Sequence, residues 1–155
     1  MSSCRQSVRL SVSPESVGLM SNVPELAAGA VKLRLKGHFD CRTNNRPFYL
    51  FDIVDATDSV VGEITFMPHA DDEFVEMNGH SGGGLIENAR GRGLYPLALS
   101  ALAPLAKSHG MSEFVIAFEA TNDAAVKAAT RKRYRAIGAR SGVARYAVAV
   151  SEPEA

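Results

Sequence analysis

Ten residues hold the densest chemistry in this chain: Glu87-Asn88-Ala89-Arg90-Gly91-Arg92-Gly93-Leu94-Tyr95-Pro96. Two glycines alternate with two arginines, and a long apolar-periodic stretch follows at once. Glycine lets a backbone come close to a ligand, because no Cβ stands in the way. The first N–H groups of a helix have no partner inside it and can point at an anion. Guanidinium groups match phosphate geometry. Together these residues predict a pyrophosphate-binding turn at a helix N-terminus, at Arg90, Gly91, Arg92, Gly93 and the opening helical residues Leu94 and Tyr95. No Gly-Lys-Ser/Thr follows, so the turn is not a P-loop. Pro96 stands where a dinucleotide fingerprint needs its last glycine, so it is not that motif either.

Other reactive side chains are sparser. His69, Asp71 and Asp72 match no strong metal-ligand spacing, and no metal is expected. Thr57, Ser59 and Ser108 have no nearby His/Asp arrangement in the sequence. Lys127, Arg131, Lys132, Arg133 and Arg135 form a basic run, read first as a solvated helix face. Cys4 and Cys41 are the only cysteines and form no Cys-x-x-Cys, which favours free thiols and a cytoplasmic setting.

Composition narrows the class. The 155 residues fit one domain, expected over 1–150, with 151–155 as a disordered tail. Apolar residues make up 46% and charged ones 22%, which is ordinary for a globular chain. The 17 basic and 17 acidic side chains cancel, which argues against a dedicated nucleic-acid binder. No apolar run reaches the roughly 18 residues of a membrane span, and no secretory signal is visible.

The elements that must hold the turn can be read from periodicity. Ser7 to Ser13 alternates, as does Val31 to Leu35, and both predict strands. Pro14-Glu15 reads as a helix start. Gly37 to Pro47 is polar and predicts a loop. Phe48 to Val54 and Val60 to Phe66 predict a hairpin around the turn residues 55–59. Phe74 to Met77 predicts a further strand, blurred by Gly82-Gly83-Gly84. From Leu94 the period changes. Leu97, Ala98, Ala101, Leu102, Leu105 and Ala106 share one helical face, which Pro104 should kink or end early. Glu113 to Glu119 predicts a buried strand. Asn122 or Asp123 can cap a helix running through Lys132. Tyr134 to Ile137 and Arg145 to Val150 predict closing strands.

The turn resembles the acetyl-CoA motif of the GNAT superfamily of N-acyltransferases, Gln/Arg-x-x-Gly-x-Gly/Ala. Arg90 and Gly93 align with it, and Tyr95 replaces the usual small residue. Phe114 to Phe118 resembles the family's buried strand after the motif helix, and Asn122 the asparagine that opens the next helix. Arg133-Tyr134 falls where the family has Gly-Phe. The resemblance covers about residues 48–140. It implies an α/β fold, a mixed and strongly twisted sheet with helices on both faces. It also implies acetyl-CoA as co-substrate and direct transfer to an amine of a small molecule or protein. Cofactor contacts would then fall on Leu85, Ile86, Arg90, Gly91, Arg92, Gly93, Leu94, Tyr95 and Asn122, with the oxyanion held by N–H groups near Gly84-Leu85-Ile86. A general base is expected from Glu76, then His80, then Glu87, with Glu76 and His80 sharing parity on one strand. Many members carry a tyrosine seven residues after the asparagine as general acid, and here that position is Ala129. Ala129 favours the rival reading of an inactive acyl-CoA-binding module. A homodimer is compatible with the fold, and no nucleic-acid or membrane partner is expected.

Overall fold

The computed structural model describes residues 9–41 and 46–150. The start of the strand expected from Ser7, and the tail expected to be disordered at 151–155, lie outside the described residues. Strand β1 (Arg9–Ser11) leads to a single turn of 3-10 helix at Pro14–Val17, and then to β2 (Leu26–Ala28) and β3 (Val31–Cys41). Two further strands, β4 (Phe48–Val54) and β5 (Val60–Phe66), form the expected hairpin. Helix α1 (Asp72–Asn78) and strand β6 (Ser81–Leu85) come next. Helices α2 (Leu94–Ala101) and α3 (Ala103–Ser108), strand β7 (Glu113–Glu119), helix α4 (Asp123–Arg131) and strands β8 (Arg135–Arg140) and β9 (Val143–Ala149) follow among the described residues.

The strands form one sheet in the order β1-β3-β4-β5-β6-β7-β9-β8, with β2 beside β3. Every pairing is antiparallel except β6 with β7, so the sheet is mixed as expected. Alternation along the strands sends Phe51, Ile53, Ile64, Phe66 and Phe114 to one face, where they pack with Leu99 of α2, Leu105 of α3 and Leu102 between the two helices. Phe48, Leu50 and Met67 point to the other face and meet Phe74 of α1. Helices therefore cover both faces. Strand β4 is buried along nearly its whole length, which explains its unbroken apolar run. Each fully buried aromatic or aliphatic side chain contributes about 1.5–3 kcal/mol by leaving water.

Two expectations fail for stated reasons. The segment Phe74 to Met77 is helix, not strand. Asp71 caps it by accepting a bond from the Phe74 N–H at 2.8 Å, Asp72 and Glu73 lie in its first turn, and Gly79 ends it at φ 74°. Capping chemistry therefore outweighs an apolar pattern too short to fix a period. The polar stretch after Gly37 continues as strand to Cys41, because a bulge between Leu35 and Gly37 restores pairing with β4. The break expected from Pro104 is present. Pro104 sits in the first turn of α3, where its missing N–H matters little, and buried Leu102 forms the joint between the two helices.

Candidate functional site

The site is built where β6 and β7 part. Their only bridge is Ser81 with Ile116, and beyond it β6 stays with β5 while β7 stays with β9. Gly83 is a steric requirement of that divergence. A Cβ there would stand 2.2 Å from the Glu63 carbonyl oxygen. Ladder bonds alternate along an antiparallel pair. Met67 donates to the His80 carbonyl and Ile86 to the Val61 carbonyl, so Gly84 also faces β5. The N–H groups of Gly83 and Leu85 therefore turn toward the opening. Of the residues expected to hold an oxyanion, Gly84 and Ile86 spend their N–H groups inside the sheet, and Leu85, with Gly83, turns its N–H outward.

Strand β6 runs directly into the glycine turn. Ile86 begins a 3-10 turn at Glu87–Ala89, then Gly91 and Gly93 adopt left-handed φ of 81° and 73°. Gly93 is the N-cap residue of α2. A Cβ at Gly91 or Gly93 would meet nothing within 4 Å, so the chain itself leaves the outer side of the turn open. Arg90 is held across it, its Nε donating to the Leu85 carbonyl at 3.2 Å. Arg92 is exposed and lies close enough to Asp55 to help hold that carboxyl below its usual range, behind the larger effect of the Thr57 hydroxyl. Leu94 is buried in the core, so only its backbone faces the turn.

Below the opening lies a cleft of about 510 Å³, lined on one side by α1 and on the other by the end of β7. Its walls are Met67, Phe74, Met77, Phe118 and Val143, with Glu73 and Glu119 as the charged residues. His80 lines it, but as a donor. The Val115 N–H bonds to His80 Nδ1 at 3.0 Å, which leaves the neutral ring's proton on Nε2. Burial lowers the His80 pKa, with the charge of Asp72 opposing, so the neutral form dominates near pH 7. His80 thus cannot accept a proton at the atom left free, which corrects its reading as a base.

Glu76 is also corrected. It is helical, shares no strand parity with His80, and is ion-paired with Arg140 and, at 3.9 Å, with Arg145. It lines a separate hollow with Val115 and Ile137 rather than the cleft. Glu87 is exposed at the start of the 3-10 turn, above the opening. The sequence reading missed Glu73 and Glu119. Glu73 stands just before the segment Phe74 to Met77, whose pattern reads as strand, so its place in the first turn of a helix was not visible. Glu119 carried a signal, being one of the two charged ends of a strand whose interior is apolar.

Three hydroxyls gather on the opposite side of β6. Ser81 is buried and its Oγ has no hydrogen-bond partner, although it stands beside the phenol of Tyr95. Tyr95 packs against the main core, and burial holds its phenol protonated. The neighbouring Tyr134 hydroxyl is buried without a partner, and burial pushes its pKa up to about 12. Ala129 is buried in the body of α4 and offers no polar group. Asn122 caps α4, its Oδ1 accepting from the Ala125 N–H at 3.2 Å. Arg133, where the resemblance placed a glycine, has the left-handed φ of 61° that a glycine would take freely. Of the expected cofactor residues, Leu85, Ile86, Arg90, Gly91, Arg92, Gly93, Leu94 and Tyr95 form one continuous path, whereas Asn122 is used at the N-terminus of α4.

No protein-family model matches the sequence, and comparison with curated proteins finds no match. Solved structures do match. The RimL ribosomal L7/L12 α-N-protein acetyltransferase superposes with a TM-score of 0.51 at 21% identity, over 68% of this chain and 72% of that one. Its complex with coenzyme A gives 0.50 at 23% identity, over 66% and 62%. An acetyltransferase from Salmonella typhimurium that modifies the N-terminal serine of the same ribosomal protein gives 0.50 at 22%, over 67% and 64%. At such identities the likeness concerns architecture. The chain has the GNAT acetyltransferase fold.

Proposed function

We propose that this protein transfers an acetyl group from acetyl-CoA to an amine by direct attack in a ternary complex. One observation carries the reading. A glycine turn open to solvent, at the N-terminus of α2, is joined by a single strand to a cleft where two strands part. That path suits a long ligand with an anionic end and a reactive end. The pyrophosphate would take the free N–H groups of α2 and the guanidinium groups of Arg90 and Arg92.

In the transfer, the amine lone pair forms a bond to the thioester carbonyl carbon, and the carbonyl electrons move onto oxygen. The N–H groups of Gly83 and Leu85 are placed to hold that oxyanion. Its collapse restores the carbonyl and breaks the C–S bond, and the thiolate leaves with the bonding electrons. The nitrogen gives its extra proton to water or to a carboxylate of the cleft. With a thiol pKa of about 8.5, the thiolate is a tolerable leaving group without a general acid.

The rival reading is an acyl-CoA-binding module without turnover. It is favoured by the buried Ala129 and by the engagement of Glu76 and the Nδ1 of His80. Calorimetric titration with acetyl-CoA, CoA and ADP tests the shared cofactor site. Release of free thiol on adding an amine separates enzyme from module. Absence of binding to all three ligands would end both readings.

A further inference from the structure

The cleft beneath the opening has a charge pattern that selects among amines. The inference rests on the acetyl-transfer reading and deepens it. Among the described residues lining the cleft, Glu73 and Glu119 are the only formal charges, and no lysine or arginine joins them. Neither carboxylate has an ion-pair partner among the described residues, whereas Glu76, on the same helix, is claimed by Arg140 and Arg145. His80 is neutral there and presents a donor, as derived above. The wall between the two carboxylates is apolar and soft, with Met67, Phe74, Met77 and Phe118.

From this juxtaposition of an apolar wall, two unpaired carboxylates and no cation, we infer that the acceptor is a small amine on an apolar or aromatic body, carrying no acidic group. Its ammonium form is drawn in by Glu73 and Glu119, and its body packs on the methionines and phenylalanines. A carboxylate or phosphate next to the amine would enter without a counter-charge and face two like charges, which is a repulsive selection against amino acids. The volume suits a small molecule rather than a folded partner.

The test uses phenethylamine and phenylalanine, which differ only by the carboxylate, and a tetrapeptide with a free N-terminus. Binding of each to the protein saturated with CoA is read by calorimetry, and transfer from acetyl-CoA by thiol release. Phenethylamine should bind at least tenfold tighter than phenylalanine and than the tetrapeptide. The double substitution Glu73→Gln with Glu119→Gln should shrink the preference over phenylalanine by about tenfold, with acetyl-CoA affinity and melting temperature unchanged. Equal or tighter binding of phenylalanine overturns the inference, and so does preference for the tetrapeptide or an unaltered ratio in the double variant. If the binding preference holds and no amine is acetylated, the acetyl-transfer reading fails while the selectivity of the cleft stands.

Discussion

Gly93→Asp separates a ligand-binding turn from a merely structural one. Gly93 has φ 73°, and a Cβ there would meet nothing within 4 Å. The substitution therefore clashes with no part of the protein, and its cost to folding is the left-handed backbone strain of about 1–2 kcal/mol. For a domain of this size that corresponds to a melting-point loss of roughly 2–8 °C. Binding suffers differently. The new carboxylate stands at the N-cap of α2 and can itself accept from the N–H groups that an anion would use. It also repels a phosphate about 5 Å away by roughly 1 kcal/mol in water and 3 kcal/mol at an effective dielectric of about 20. The turn is exposed, so the expected loss lies between these limits, a rise in acetyl-CoA Kd of about 5- to 150-fold. Gly110→Asp is the control, because Gly110 has φ 77°, equally open surroundings and a place far along the chain from the turn. Calorimetry and thermal melting on both variants decide the matter. Similar melting losses with weakened binding only in Gly93→Asp support the turn. Wild-type affinity in Gly93→Asp would falsify the assignment of the pyrophosphate to this turn.

Three further outcomes follow from local geometry. Stability should fall as pH drops below about 6.5, because burial lowers the pKa of His80 and, with help from His69, of His109. The unfolded chain then binds more protons than the folded one, so this stabilisation is complete above the unfolded pKa and is lost as pH falls through the folded values. Urea denaturation between pH 5 and 8 should show that slope, and His109→Gln should flatten it. Gly83→Ala should destabilise by about 3 kcal/mol, since its Cβ would overlap the Glu63 carbonyl, while Gly84→Ala, with open space around it, should stay within about 1 kcal/mol. Equal effects in urea titrations of the two would contradict the packing described for β6. Arg133→Gly should raise stability by about 1 kcal/mol by relieving a left-handed backbone, and an unchanged or lower melting point would show that the Arg133 side chain compensates.

Local chemistry alone made much of the chain legible. The hairpin β4–β5 follows from two apolar runs and an Asp55 whose Oδ1 gathers the N–H groups of Thr57 and Ser59. Asn122 capping α4, and Pro104 dividing α2 from α3, follow from single residues with one strong conformational preference. The glycine turn was legible for the same reason, since few residues adopt positive φ without strain. Positions settled by distant partners were not legible. Glu76 was misplaced because seven residues fit either period, and its pairing with Arg140 spans 64 positions of sequence. The base role expected of His80 was lost to one backbone N–H from a neighbouring strand. The parting of β6 from β7, the cleft under it and the absence of ion-pair partners for Glu73 and Glu119 among the described residues have no signature along the chain. They arise where strands from separate segments stop pairing, and only the tertiary structure decides where that happens.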